Sequence, residues 1–399
     1  MLALVKTQAR RYIAQVSEVT DVLSAISALH SRGERMALAT IISVRGSTYR
    51  RPGARLLIPA QGDPIGNISG GCLEGDVERI GREVMVTGRP RLELFDLTAD
   101  GDEVWGYGLG CNGAMELFIE PAEHVAASAA ALRTAVEQER PCCLATVVES
   151  SVSGVAPGAR LLLQADGQAE GRVGGQGETE ILAAARRSLD AGASSVERLS
   201  VAGKELRVFL EVLQPPLRLL ICGAGHDAIP LVRFAAQLGW RVVVADPRPV
   251  FLTVERFPAA AELLDAVGAD LFAHTYVDER TYPVVMTHNY LRDMEYLRVL
   301  IDSRAPYIGI LGPRRRAEQL LDELAGQGVV PSGAPPHDRI HAPAGLDLGA
   351  EGPAEIAWAI VAEVLAVHRG RAGGPLRERR APIHAEEDEH QPLASAAEV

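Results

Sequence analysis

Leu-Arg-Leu-Leu-Ile-Cys-Gly-Ala-Gly-His-Asp-Ala, residues 217–228, joins a short apolar run to a glycine-rich turn, and a helical pattern follows through Leu238. A second apolar run, Arg241–Asp246, ends in an acid. This order of strand, Gly-x-Gly-x-x-Ala turn, helix and strand-terminal acid is typical of a nucleotide-binding βαβ unit. Gly223 and Gly225 would let a phosphate approach the backbone, and Asp246 would accept a hydrogen bond from a ribose hydroxyl. Asp227 places a negative charge where a pyrophosphate would lie, so it is read either as a helix cap or as a ligand contact.

Strands and helices continue to alternate after this unit. Strands are predicted at 283–287 and 307–311, and helices at 294–303, 314–324 and 354–368. This alternation predicts a Rossmann-like, doubly wound parallel sheet over residues 217–370, and the polar segment 371–399 is predicted to be a disordered acidic tail. Ligands of such sheets lie beyond the carboxyl ends of the strands. The residues expected there are His226, Asp246, His288, Gly312, Arg314, Arg315, Arg316 and His341. They suit a phosphorylated ligand, although each histidine is also compatible with a structural hydrogen bond.

Before the linker Gln214-Pro-Pro-Leu217, one pattern occurs twice. Leu38-Ala-Thr-Ile-Ile returns as Leu144-Ala-Thr-Val-Val, Pro52-Gly-Ala-Arg55 as Pro157-Gly-Ala-Arg160, and Leu117-Phe-Ile-Glu120 as Val208-Phe-Leu-Glu211. The repeat predicts a duplicated α+β module, with a first copy at 21–121 and a second copy at 122–214. A leader, residues 1–20, would precede a helix capped by Asp21. The predicted fold class is therefore α/β, with a duplicated α+β module followed by the parallel-sheet domain.

Cys72 lies in Gly70-Gly-Cys-Leu-Glu74, at the start of a helix predicted from Leu73 to Thr87. A thiolate is favoured at a helix start, and paired glycines form a backbone nest that suits anions. The simpler reading is a tight turn with a small buried thiol. The second copy keeps the turn but has Gln176 in place of Cys72, so the turn does not need the cysteine, and this favours a functional role.

The other cysteines divide into two groups. Cys111 lies in a glycine-rich loop, Gly110–Gly113, which the second copy lacks. Cys142 and Cys143 head a predicted strand, with one expected to be buried and the other to face outward, and Cys222 is expected to pack in a core. The odd total of 5 cysteines, without a framework spacing, predicts reduced thiols.

Bulk composition narrows the class of protein. The net charge of −12 argues against general nucleic-acid binding. No apolar run reaches the length of a membrane span, and the first residues do not form a secretory signal. The sequence therefore predicts a soluble cytoplasmic protein. A homodimer is expected because dimers are the commonest oligomers of such proteins.

These motifs resemble the XdhC/CoxI family of accessory proteins for molybdenum hydroxylases. The resemblance runs from about Asp21 to about His368 and rests on ordered motifs at Gly46–Arg55, Gly70–Glu74, Gly110–Gly113, Gly223–His226, Asp246–Arg248, Thr287–His288, Tyr307–Gly312 and Arg339–Pro343. It implies a chaperone that holds molybdenum cofactor during sulfuration by a cysteine desulfurase. The chaperone then helps to insert the cofactor into a client of the xanthine dehydrogenase or carbon monoxide dehydrogenase type. Tyr49, Ser69 and Asp227-Ala228 depart from the usual residues of the family.

The resemblance also implies cofactor-binding residues. Thiolate suits a molybdenum centre that carries sulfur ligands, so Cys72 and Cys111 are candidate metal contacts. Arginine suits the pterin phosphate. The full predicted set is Cys72, Cys111, Gly70, Gly71, Glu74, Arg50, Arg51, Arg55, Gly223, Gly225, His226, Asp246, His288 and Arg314, with Arg45 as a weaker candidate. The sequence leaves open whether the cofactor is molybdopterin or its cytosine dinucleotide.

Three other functions stay open at this point. The glycine loop and Asp246 favour an NAD(P)-dependent oxidoreductase, although no residue for hydride transfer is evident. Cys72 and Cys111 together favour a thiol-redox or sulfur-transfer enzyme. A protein adaptor without turnover or a small ligand is the remaining alternative.

Overall fold

The computed structural model describes residues 18–46, 48–96, 113–329 and 338–380. The chain forms two compact units that divide between Leu217 and Arg218. The boundary lies directly after the two prolines of the predicted linker. Pro215 and Pro216 cannot donate backbone hydrogen bonds, so a break in the sheet structure here is expected.

The first half of the N-terminal unit is an antiparallel sheet with helices. Its elements are α1 (Glu18–Ser31), β1 (Met36–Gly46), β2 (Arg55–Pro59), β3 (Ile65–Gly66), α2 (Glu74–Thr87), β4 (Arg91–Asp96) and β5 (Gly113–Pro121). The strand order is β3-β2-β1-β5-β4. Helix α2 buries Val77, Ile80 and Val84 against one face of this sheet, as their spacing predicts.

The second half repeats this topology. Its elements are α3 (Ala126–Glu137), β6 (Cys142–Ser150), β7 (Arg160–Gln164), β8 (Ala169–Arg172), α4 (Glu178–Ala191), β9 (Ser195–Val201) and β10 (Lys204–Leu213). The order β8-β7-β6-β10-β9 matches that of the first sheet strand for strand. Helices α2 and α4 each have 14 residues and end at a left-handed glycine, Gly88 or Gly192.

The two copies share part of their cores. One buried cluster takes residues of α1 and α3 together with Leu38 of β1 and Leu144 of β6. A smaller cluster joins equivalent positions of the two sheets, Ile42 with Phe118 and Val148 with Phe209. The central strands are therefore covered on both faces.

This double coverage corrects the prediction for the adjacent cysteines. Cys142 and Cys143 alternate between the faces of β6, as expected, but both are buried. Cys142 packs in the cluster of α1 and α3, whereas Cys143 packs under α4. Alternation shows which face a residue takes, and it does not show whether that face meets solvent.

The C-terminal unit is a six-stranded parallel sheet with the order β13-β12-β11-β14-β15-β16. Its elements are β11 (Arg218–Cys222), α5 (Ala228–Gln237), β12 (Arg241–Ala245), β13 (Glu262–Leu264), α6 (Leu271–His274), β14 (Thr281–Val285), α7 (Tyr290–Leu300), β15 (Ile308–Ile310), α8 (Arg314–Gly326), β16 (Ile340–His341) and α9 (Pro353–His368). Cys222 packs in its core, as expected. The chain moves outward from β11 through β12 to β13 and then returns to the other side of β11 as β14. The point where the strand order reverses therefore lies between β11 and β14, and the predicted fold class is confirmed.

Some local predictions differ from the structure. Helix α1 begins at Glu18, so Asp21 lies inside its first turn and is not its cap. The strands β13 and β16 have three and two residues, which is too short to leave a periodic pattern. Residues 371–380, assigned to the tail by sequence, include a 3-10 turn at Leu376–Glu378. Among the described residues, no helix combines the length and the apolar character that a membrane crossing requires.

Candidate functional site

The turn that carries Cys72 is organised by Ser69. The Ser69 hydroxyl oxygen accepts hydrogen bonds from the backbone N–H groups of Gly71, Cys72 and Leu73, at 3.1, 3.1 and 3.2 Å. The sequence singled out Ser69 only as a departure from the family pattern. In the structure its hydroxyl holds together the turn that leads into α2, whose own N-cap residue, Leu73, has no side-chain cap.

Glu74, the first residue of α2, also holds this turn. Its carboxylate accepts hydrogen bonds from the Ser69 hydroxyl and from the backbone N–H groups of Ser69 and Leu73, the last two at 2.9 and 3.2 Å. Burial by itself raises the pKa of the Glu74 carboxyl, but these hydrogen bonds outweigh it and lower the pKa below its ordinary value. Glu74, predicted to bind cofactor, therefore has a defined role in fixing the turn.

This arrangement changes the expectation of an anion-binding nest. The N–H groups that would face an anion already donate to Ser69, which holds them inside the turn. Cys72 is half-buried against the cluster under α2, while Gly70 and Gly71 are exposed. The turn can thus present a thiol beside exposed glycines. A bound phosphate would need hydrogen-bond donors from other groups.

The matching turn in the second copy is more enclosed. A Cβ atom on Gly174 or Gly175 would lie 2.6 or 2.8 Å from a backbone oxygen of the segment 153–154. By contrast, a Cβ on Gly70 or Gly71 would meet no atom of the described residues within 4 Å. Gly71 needs to be glycine because its φ is +105°, whereas Gly70 has no such constraint. Among the described residues, the glycine pair beside Cys72 is thus less crowded than its counterpart in the second copy.

The predicted arginines lie in different environments. Arg51 and Arg45 are exposed, and Arg50 is half-buried. Arg55 is buried and ion-paired with Glu211 of the second copy, and its Nη1 donates to the Gly53 carbonyl at 2.9 Å. Its guanidinium is engaged inside the protein, so it is not among the proposed cofactor contacts. The sequence already favoured a structural role for this arginine, because Arg55 recurs as Arg160 in the second copy, whose turn has no cysteine.

In the C-terminal unit, Asp246 is fully buried and its carboxylate is held by four donors. The backbone N–H of Ala224 donates to Oδ2 at 2.8 Å, and Arg248 donates through its backbone N–H, Nε and Nη2 at 2.9, 2.8 and 2.7 Å. Burial by itself raises the pKa of Asp246, but the bonds to Arg248 and Ala224 lower it overall. The acid expected to bind a ribose instead ties the glycine loop to the turn after β12.

Asp227 and His288 meet where the strand order reverses. Asp227 follows β11 and His288 follows β14, and His288 Nε2 lies 2.6 Å from Asp227 Oδ2. Asp227 lies at the N-cap position of α5, as one interpretation of the sequence expected, but its side chain makes no capping hydrogen bond. His288 is 61% exposed at its side chain and has a left-handed φ of +58°. The pairing could not be read from sequence because the two residues lie 61 positions apart.

A buried acid on α7 supports this histidine. Asp293 is fully buried and accepts hydrogen bonds from the backbone N–H and the hydroxyl of Thr287, the residue before His288, at 3.2 and 2.5 Å. Arg316 of α8 pairs with its other oxygen at 2.7 Å. These contacts fix the turn that holds His288 in its uncommon backbone conformation.

The remaining predicted residues divide into exposed and packed ones. His226 and Arg314 are exposed at the ends of β11 and β15. His341 lies 3.1 Å from Glu363 of α9 and packs on the ring of Tyr307, so its contacts are structural. Cys111 lies outside the described residues. Within the described ranges, no group of three or more His, Cys, Asp or Glu side chains could hold a metal ion.

These features define a two-part α/β protein, with a cysteine turn on a duplicated antiparallel unit and a glycine loop on a parallel-sheet unit. The profile described as "XdhC and CoxI family" matches residues 29–96 and 135–200, and that described as "XdhC Rossmann domain" matches residues 219–364. The chain belongs to the XdhC and CoxI family.

Similar proteins and a solved structure agree with this assignment. The chain is 31% identical over 344 residues to a protein of Bacillus subtilis strain 168 described as a probable subunit of xanthine dehydrogenase, and the match covers 85% of this chain and 95% of that protein. It is 23% identical over 371 residues to "Molybdenum cofactor insertion chaperone PaoD" of Escherichia coli K12, covering 93% of this chain and 91% of the relative. A crystal structure described as a xanthine dehydrogenase from Bacillus halodurans is 29% identical, with a TM-score of 0.70, and covers 89% of this chain and 98% of that chain.

Proposed function

We propose that the protein is a chaperone that binds molybdenum cofactor. It holds the cofactor during sulfuration and helps to insert it into a hydroxylase of the xanthine dehydrogenase or carbon monoxide dehydrogenase type. The observation that carries this proposal is the nearly full-length similarity to the insertion chaperone PaoD, over 93% of this chain and 91% of the relative. Family membership supports the broader role in maturation of a molybdenum hydroxylase.

Cys72 is the central residue of the proposed site. When bound, the cofactor supplies a molybdenum centre with sulfur ligands, for which a thiolate is a suitable protein ligand. The residues fit such a group in one respect, since a half-buried thiol lies beside two exposed glycines at which a Cβ atom would meet no described atom within 4 Å. They do not fit a phosphate bound by the N–H groups of the turn, which donate to Ser69.

Arg50 and Arg51 are the proposed phosphate contacts. They belong to the loop between β1 and β2 of the copy that carries Cys72, and the second copy has no equivalent pair. Arginine matches phosphate through paired N–H donors. Cys111, from the glycine-rich loop of the same copy, is proposed as a second sulfur contact. Gly70 and Gly71 would allow the cofactor to approach the backbone.

The proposed partners follow from this role. They are the client hydroxylase, a cysteine desulfurase that supplies sulfur, and a second copy of the chain in a homodimer, all in the cytoplasm. The chain itself would act without turnover. In a related version of this proposal Cys72 carries sulfur as a persulfide, which peptide mass spectrometry of protein purified without reductant would detect.

A nicotinamide-dependent oxidoreductase has less support. The acid that would bind the ribose is fully buried and occupied by Arg248 and Ala224. NAD(P) is therefore not part of the proposed function.

Cofactor retention tests the proposal. Wild type, Cys72→Ala and Cys111→Ala are incubated anaerobically with molybdenum cofactor and passed through a desalting column. Molybdenum and pterin are then measured per chain. Gln176→Ala, at the equivalent position of the second copy, is the matched control. Wild type and the control should retain near-equimolar cofactor. Cys72→Ala should weaken binding about tenfold or more, because removing even a residue that only supports a metal ligand lowers metal affinity by about 10–100-fold. Equal retention by wild type and Cys72→Ala, or no retention by wild type, would contradict the proposal.

A further inference from the structure

The crevice between β11 and β14 differs from an ordinary nucleotide site in the position of one carboxylate. In the dinucleotide fingerprint, the second glycine lets the backbone approach the pyrophosphate. Here a Cβ atom on that glycine, Gly225, would lie 2.5 Å from Asp227 Oδ1. The Asp227 carboxylate therefore covers the surface of Gly225 that a pyrophosphate would need.

The position of Asp227 is fixed by its neighbours. Its Oδ2 is bonded to His288, and its Oδ1 is buried without a hydrogen-bond partner among the described residues. An unpaired buried oxygen and a left-handed histidine both cost free energy, so the surrounding contacts must hold them in place. The bonds from Thr287 to Asp293, and the ion pair of Asp293 with Arg316, provide that support.

Charge disfavours phosphate at the same place. A pyrophosphate on Gly225 would meet the carboxylate of Asp227 in a partly desolvated turn, where like charges repel strongly. The other anchor of a bound dinucleotide, Asp246, is engaged by Arg248. A dinucleotide is usually recognised by a glycine that meets its pyrophosphate and an acid that meets its ribose. Here the protein's own side chains occupy both positions.

The same pair gives the crevice a hydrogen-bond acceptor. A carboxylate only accepts, so the bond to Asp227 keeps the hydrogen of neutral His288 on Nε2. The Nδ1 atom is then the unprotonated nitrogen, since the hydrogen bond between this ring and Asp227 goes through Nε2. It belongs to a side chain that is 61% exposed, so it is available to a ligand that carries N–H donors.

We propose that Asp227 and His288 close the glycine loop to pyrophosphate and offer His288 Nδ1 as an acceptor, so that this crevice selects an uncharged ring bearing N–H groups over a nucleotide. The ring class that fits the proposed function is a pterin, whose amino group and N3–H donate hydrogen bonds. The pterin identity rests on the proposed function, whereas the exclusion of pyrophosphate does not.

Equilibrium dialysis with two probes tests this selection. The full chain is titrated with 6-hydroxymethylpterin and, separately, with ADP-ribose. Asp227→Asn removes the charge at nearly constant shape, and His288→Gln removes the imidazole. The control is Asp302→Asn, which makes the same charge change at an exposed residue before β15, at the amino ends of the strands.

Wild type and the control should bind the pterin and bind ADP-ribose much more weakly. Asp227→Asn should raise the affinity for ADP-ribose about tenfold or more, since a like charge is removed. His288→Gln should weaken pterin binding and leave ADP-ribose excluded, because Asp227 remains. The proposal is overturned if wild type does not bind the pterin, or if Asp227→Asn binds ADP-ribose no better than the control does.

The outcome is separable from that of the cofactor experiment. Cofactor retention that depends on Cys72, together with unchanged probe binding in Asp227→Asn, would overturn the selection and leave the chaperone function standing. Loss of the chaperone function would leave the gain of ADP-ribose binding as an independent result.

Discussion

Arg55 of the first copy is ion-paired with Glu211 of the second, and their side chains are only 5% and 7% exposed. The equivalent residues form the reciprocal pair, Arg160 with Glu120, at 8% and 1% exposure. Each arginine also donates to the carbonyl of the glycine two residues earlier, Gly53 or Gly158. The repeated Pro-Gly-Ala-Arg motif thus joins the two copies through exchanged buried charges.

Breaking one of these pairs should destabilise the N-terminal unit. Glu211→Gln leaves the Arg55 charge buried without its partner, and such a change costs about 3–5 kcal/mol. The free energy of unfolding in urea, followed on the transition of the N-terminal unit, measures the effect. Arg79→Ala, which removes an exposed i,i+4 pair with Glu83, should change it by less than about 1 kcal/mol. A similarly small effect of Glu211→Gln would show that the pair is not a structural link.

Ser69 should stabilise the turn that leads into α2. Ser69→Ala removes the oxygen that accepts three backbone N–H bonds in the turn before α2, and loss of one hydrogen bond typically costs about 0.5–1.5 kcal/mol. Urea unfolding of the variant, beside Ser27→Ala, whose hydroxyl donates to the Leu23 carbonyl at 3.0 Å, measures it. If both variants unfold alike, the hydroxyl of Ser69 does not hold the turn.

The sequence predicts much of this architecture because its information is local. The helical spacing of Val77, Ile80 and Val84 marks α2, and the repeated segments mark two copies with the same strand order. The glycine loop between two apolar strands marks the parallel sheet. Each of these patterns lies within a few residues of chain and reflects the period of one helix or strand.

The site could be predicted less completely because its contacts join distant residues. Arg55 looked available for phosphate until its partner, 156 positions away, was known. Asp227 could likewise not be assigned a role from sequence, because its partner His288 lies on the connection that follows another strand, β14. Ser69 looked like a departure from a family pattern, but its effect depends on the fold of the turn. Residue type determines which interactions a side chain can make, while tertiary contacts determine whether the side chain is available to a ligand.

Glu363 should make the C-terminal unit sensitive to acid. Burial by itself raises the pKa of its carboxyl, but bonds with His341, Tyr307 and the Gly345 N–H lower it below the ordinary value. A lowered pKa in the folded state means that the stabilisation is present above about pH 4.5 and is lost as the pH falls through the folded pKa. Glu363→Gln should therefore unfold at lower urea than wild type near neutral pH.

The difference between wild type and Glu363→Gln should shrink in acid, because protonated glutamate resembles glutamine. Urea midpoints at about pH 7 and about pH 3.5 test this sign. Glu355→Gln, at an exposed position of the same helix, is the control and should show no such convergence. A gap between wild type and Glu363→Gln that stays constant over this range would contradict the assignment.

The cysteines should separate by reactivity. Burial raises the pKa of Cys142 and of Cys143 to about 12, so their thiolate populations at neutral pH are negligible and a reagent cannot reach them. Cys72 is half-buried beside exposed glycines and is accessible. Iodoacetamide under native conditions, followed by peptide mass spectrometry, should modify Cys72 while Cys142 and Cys143 react only after unfolding.

Bound cofactor should slow the modification of Cys72, since the proposed contact covers its sulfur. Equal labelling of Cys72 with and without cofactor, on protein that retains the cofactor, would move the binding site away from this turn.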